Sequence, residues 1–157
     1  MDPRRLHRGA AFAALGLALL LLVDLFLGWQ EVRVDVAGVV RTTETASGWG
    51  PYGLVAGALA IALVLVELET LRHAAEDPGR RELGAVALAL GIFVAVTVQA
   101  LTGDVSVTVA AIGVEVESTQ WPAIAGIALS LALVAATLVP LVGSVRAPRG
   151  AMPHGTA

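Results

Sequence analysis

The sequence predicts a membrane all-α fold with a small β element. The expected architecture is a four-transmembrane-helix bundle made of two parallel helix–β-hairpin–helix repeats, with a small extracytoplasmic four-stranded antiparallel sheet. Three observations predict it. Four long stretches are almost free of charge, two intervening segments alternate β-branched and polar residues around a glycine, and the two halves match at an offset of 75 residues. Only 15% of the 157 residues are charged and the mean hydropathy is +0.81, whereas a soluble domain carries about 25% charged residues.

A membrane-crossing helix needs about 20 mostly apolar residues. Gly9–Gly28, Pro51–Leu71, Leu83–Leu101 and Trp121–Val142 each qualify. The first resembles a signal peptide in having Arg4, Arg5 and Arg8 before its apolar run. However, no small-residue cleavage site follows, and the run continues through Leu27, so it reads as a retained helix. Arg4, Arg5, Arg8, Arg72, Arg80, Arg81, Arg146 and Arg149 fall in the two tails and the middle loop, leaving only Arg33 and Arg41 on the other side. Positive charge stays on the cytoplasmic face, so both termini are expected there, in a multi-pass protein of the plasma membrane. Trp29, Trp49, Tyr52 and Trp121 all fall at the expected outer boundary. Amphipathic rings favour the headgroup level, so these four are expected to be interfacial anchors.

Each outer connection is about 20 residues long and reads as a hairpin by its period of two. In the first, Val32, Val34 and Val36 alternate with Arg33 and Asp35, and a turn at Ala37-Gly38 precedes Val39–Thr43. In the second, Val105, Val107 and Val109 alternate with Ser106 and Thr108, and a turn near Ile112-Gly113 precedes Val114–Glu117. A lone hairpin is marginal in water, so the two are expected side by side in one sheet.

The offset of 75 brings Asp2-Pro3-x-Arg5 onto Asp77-Pro78-x-Arg80, and Ala14-Leu15-Gly16 onto Ala89-Leu90-Gly91. After a short deletion Trp49 falls on Trp121. One membrane domain over 1–157 is expected, with repeat 1 at 1–75, repeat 2 at 76–146 and a disordered cytoplasmic tail at 147–157. Each repeat crosses twice, so the copies share an orientation about an axis along the membrane normal. Gly53 with Gly57, and Gly126 with Ser130, form small-xxx-small steps that allow close helix packing, within the bundle or between copies of the chain.

Three polar residues form a candidate intramembrane site. Asp24 lies within the first span, and the repeat places Gln99 at the same position of the third. Such a pair serves either as a packing hydrogen bond or as the floor of a polar site for a proton or cation. Glu67 is the deeper acid of the second helix. Glu69, His73 and Asp77 share a helical face, but a single imidazole makes a poor metal site, and a solvated helix end is expected. His7 and His154 read as incidental tail residues.

The chain contains no Cys, which excludes disulfides, thiol chemistry and Cys-ligated metals. It contains neither Lys nor Asn, the bias of a GC-rich coding sequence. No zinc-protease, phosphate-loop or nucleophile-elbow motif is present, so no catalytic residue, cofactor or metal is expected. A net charge of −3 without a basic stripe gives no reason to expect a nucleic-acid partner.

Phe26-Leu27-Gly28-Trp29-x-x-Val32, a Val/Thr-rich loop and Ser47-Gly48-Trp49 opening the next helix resemble a set of small four-helix bacterial membrane proteins common in actinobacteria. In these a Leu-Pro-Trp-like element ends the first helix and Ser-Gly-Trp starts the second. Gly28 stands here where Pro is usual. The resemblance covers Leu25–Leu59 best and implies a membrane class without transferring catalytic residues. The layout is also similar to that of claudins, whose paired Cys are absent. The expected role is a non-enzymatic envelope component for accessory, scaffolding or sensing work through the outer sheet. Its expected partners are the lipid bilayer and a homo-oligomer or larger membrane-protein complex. The alternative is a small oligomeric transporter or channel with a polar site at Asp24 and Gln99.

Overall fold

The computed structural model describes residues 3–36, 40–72, 78–102, 114–119 and 121–146. Four helices dominate: α1 Pro3–Asp24, α2 Pro51–Arg72, α3 Pro78–Thr102 and α4 Trp121–Arg146. Strands β1 Gly28–Val36 and β2 Val40–Ser47 lie between α1 and α2, and β3 Val114–Thr119 precedes α4. Proline opens α1, α2 and α3 and is the second residue of α4. Its missing N–H costs nothing in the first turn, and its fixed φ is already helical.

All four helices carry a stretch long and apolar enough to cross a membrane: His7–Asp24, Pro51–Arg72, Arg80–Thr102 and Trp121–Val142. The chain thus fits a multi-pass integral membrane protein. The first helix is shorter than its hydropathy suggests. It ends at Asp24 rather than Gly28, where Phe26 N–H donates to Val23 C=O and Leu27 N–H to Asp24 C=O at 3.0 and 2.9 Å. These i→i−3 bonds tighten the chain into a turn and satisfy carbonyls that the ended helix leaves open.

Each helix packs against its two neighbours around a ring, α1–α2–α3–α4–α1, leaving α1 opposite α3 and α2 opposite α4. The core is rich in alanine, with Ala14, Ala18, Ala56, Ala60 and Ala89 buried beside Leu21, Leu63, Ile92 and Leu133. Large apolar side chains such as Phe12, Leu20, Leu65, Val94 and Leu131 point outward instead. Small residues inside let backbones approach closely, and bulky ones outside meet lipid, the distribution expected where water does not drive helices together. Several hydroxyls inside the spans bond to their own helix: Thr70 to Val66 C=O, Ser130 to Ile127 C=O, and Thr137 to Leu133 and Val134 C=O, whereas the buried Thr97 Oγ1 has no partner among the described residues. Lipid offers a hydroxyl no other acceptor.

At one end of the bundle the described strands form a three-stranded sheet in the order β2-β1-β3, with both pairings antiparallel. Val34 pairs with Thr42 on one side and Val114 on the other, and Val32 with Glu44 and Val116. The expected four-stranded sheet of two hairpins is not supported. Alternation shows that a segment suits a strand, but it does not show which strands meet. The segment carrying Val105, Val107 and Val109 lies outside the described residues, as do the turn at 37–39, the connection at 73–77 and the tail at 147–157. The two ends of the bundle are called below the strand end and the α2–α3 end.

Candidate functional site

The polar residues singled out from sequence divide between the two ends. At the strand end, Gln99 of α3 reaches to the start of α2. Its Oε1 accepts the backbone N–H groups of Tyr52 and Gly53, each at 3.2 Å. The first turn of any helix has N–H groups with no partner in the helix. Gly50 accepts the first helical bond, from Leu54 N–H at 2.9 Å, and so occupies the capping position with no side chain to cap with. Gln99 supplies that cap from the next helix, and a Cβ on Gly50 would collide with its amide. Gln99 is thus a structural acceptor.

Asp24 is the last residue of α1 and is buried. Its backbone C=O accepts two bonds, from Leu27 N–H at 2.9 Å and from the Trp29 indole N–H at 3.0 Å. Its carboxyl Oδ2 is sealed and has no hydrogen-bond partner among the described residues. Asp24 and Gln99 lie on opposite helices of the ring, and no hydrogen bond joins them among the described residues.

Trp29 overturns its expected place as an interfacial anchor. It is 2% exposed, clamped between two glycines. A Cβ on Gly48 would sit 2.6 Å from the indole Cε2, and one on Gly126 of α4 would sit 2.7 Å from Cζ2 and 2.8 Å from Asp24 Oδ2. The absent side chains make room for the ring, and the Asp24 carbonyl takes the N–H that burial would otherwise leave unpaired. Trp49 is half-buried, edge-on to Phe26 at 5.1 Å between ring centroids, and its ring fills the space where Gly57 has no Cβ. Tyr52 and Trp121 are exposed. The glycines of the small-xxx-small steps thus face this chain's own residues: Gly53 meets Gly48 and Leu25, Gly57 meets Trp49, and Gly126 meets Trp29 and Asp24. Ser130 is fully buried.

At the α2–α3 end, Glu67 is 7% exposed on the inward face of α2, with no hydrogen-bond or ion-pair partner among the described residues. Glu69 on the outer face reaches Arg81 of α3 at 3.6 Å. The residue that sequence reading passed over is His7. Its Nε2 lies 2.8 Å from Oε1 of the buried Glu82, tying α1 to the opposite helix α3. The two are 75 residues apart, the offset that brings Asp2-Pro3-x-Arg5 onto Asp77-Pro78-x-Arg80 in the sequence. His73 and Asp77 lie outside the described residues, and among those described no group of three His, Cys, Asp or Glu could hold a metal ion.

No protein-family model, curated protein or solved structure matches the chain.

Proposed function

We propose that this protein is a non-enzymatic scaffold of the cell envelope, which holds a partner protein through its strands while the bundle anchors it in the plasma membrane. One observation carries the reading: an apolar layer separates the polar ends of the bundle. Between His7 and Asp24 on α1 the buried residues are Ala11, Ala14, Ala18 and Leu21. Between Glu82 and Gln99 on α3 they are Ala85, Val86, Ala89, Ile92, Ala95 and Val96. On α2 only Ala56, Gly57, Ala60 and Leu63 lie buried between Gly53 and Glu67. The one buried hydroxyl at this depth on α4, Ser130, is bonded to its own helix. On α3 the Thr97 Oγ1 is buried without a hydrogen-bond partner among the described residues, close to Gln99. The layer is about 25 Å deep at 1.5 Å per residue, and an ion crossing it would meet no charged group and few polar ones to replace its hydration.

The burial pattern also supports a duplicated architecture. Ala11, Ala14, Leu21 and Asp24 of α1 and Leu25 just after it are buried, and Val86, Ala89, Val96, Gln99 and Ala100 are buried at the matching positions of α3. At an offset of 70, two residues from the register that places Trp49 on Trp121, buried Gly53, Ala56, Ala60, Leu63 and Glu67 of α2 fall on buried Ala123, Gly126, Ser130, Leu133 and Thr137 of α4. His7 and Glu82 are equivalent positions in contact, which is expected near a two-fold axis between α1 and α3. The arginines at the ends of α1, α2, α3 and α4 share the α2–α3 end, which supports a cytoplasmic placement of that end and an extracytoplasmic placement of the strands.

Reconstitution into liposomes tests the reading. The protein should pass neither protons nor alkali cations, and affinity capture from detergent should recover a partner that is lost when β1 or β3 is altered. Cation flux abolished by Asp24→Asn would instead establish the transport alternative, which the unpartnered Asp24 Oδ2 favours.

A further inference from the structure

Asp24 closes α1, and its Oδ2 is shut off from solvent with no partner among the described residues. What shuts it off belongs to a different part of the molecule. Trp29 is the second residue of β1. Its indole N–H holds the Asp24 carbonyl at 3.0 Å, and its ring edge and Asp24 Oδ2 converge on one spot of α4, both within 3 Å of where a Gly126 Cβ would lie. Gly48, the residue after β2, lies against the Cδ2–Cε2 side of the same ring. The carboxyl is therefore bundle, while its cover is strand, and the turn at Leu25–Leu27 links α1 to β1.

We propose that Trp29 is a removable plug and Asp24 a masked intramembrane carboxyl. Drawing β1 away from the bundle withdraws the indole and opens Asp24 Oδ2 to water from the strand end. A buried carboxyl oxygen without a partner is costly, so hydration stabilises the uncovered form and offsets part of the lost packing. The energy difference between covered and uncovered forms is thereby narrowed at a place where β1 meets the bundle. In a protein that docks a partner on its strands, this plug would report docking to the membrane interior. That consequence rests on the scaffold reading, whereas the plug itself is testable without any partner.

The full chain in lipid nanodiscs is treated with a water-soluble carbodiimide and an amine, and modified carboxyls are mapped by peptide mass spectrometry. Exposed Glu69 is the reactive reference. In the wild type Asp24 should stay unmodified while Glu69 reacts. In Trp29→Ala, with helicity by circular dichroism unchanged, Asp24 modification should approach that of Glu69. Should Trp29→Ala lose helicity, Trp29→Phe carries the test, because it removes the N–H and part of the ring while retaining an aromatic side chain. Faster Asp24 modification than in the wild type then supports the plug. Wild-type Asp24 reacting as fast as Glu69, or Asp24 staying unreactive in the folded variant, overturns it. Failure to capture a partner, with these labelling results intact, would defeat the scaffold reading and leave the plug standing.

Discussion

At the strand end, two residues that carry no charge hold together what charged residues elsewhere do not. Gln99 caps α2 from α3 through two N–H groups. Replacing it with Leu removes the acceptor and leaves the buried Gly53 N–H and the part-buried Tyr52 N–H without it, at a loss of about 1–2 kcal/mol. Denaturant unfolding in detergent micelles should show that loss in the midpoint. Gly126 is the meeting point of α4, Trp29 and Asp24, and Gly126→Ala places a methyl within 2.7 Å of the ring. Overpacking of this kind costs about 1–3 kcal/mol. Gly84 of α3 has nothing within 4 Å of its missing Cβ. Gly84→Ala should therefore unfold no earlier than the wild type. Equal effects at the two glycines would show that helix propensity, rather than the Trp29 contact, governs both.

Among the elements, the helices were the most legible in the sequence. A run of about 20 apolar residues has few solutions other than a membrane span, and Pro3, Pro51, Pro78 and Pro122 mark where each helix begins. The end of α1 was less legible. Leu25, Phe26 and Leu27 prolong the hydrophobic run, yet they form a turn, because hydropathy does not register i→i−3 bonding. Trp29 was misread for a related reason. A tryptophan after a span resembles a headgroup anchor, and what overrides this is the space left by Gly48 and Gly126, one of them nearly 100 residues away. The His7–Glu82 contact makes its own prediction at this scale. A double-mutant cycle with His7→Ala and Glu82→Gln should give a coupling of about 0.5–1.5 kcal/mol, the net worth of one hydrogen bond. Strictly additive effects would mean that the 2.8 Å contact does not tie α1 to α3 in the membrane.

For the whole molecule, what the bundle buries and what it exposes point the same way. Among the described residues the interior is rich in alanine, many large apolar side chains face outward, and the buried charged groups lie towards the two ends. Such a body is held by close backbone approach rather than by expelling water. The orientation proposed for it rests on arginines gathered at the α2–α3 end, with strands at the other. The absence of native cysteine makes this directly measurable, since each introduced thiol is the sole reactive one. Ser47, at the end of β2, and Arg72, at the end of α2, are both exposed and lie at opposite ends of the bundle. In intact spheroplasts, a membrane-impermeant maleimide should label Ser47→Cys at once and Arg72→Cys only after permeabilisation. Labelling of both sites from the same side would contradict the four-span bundle with its strands on one face of the membrane.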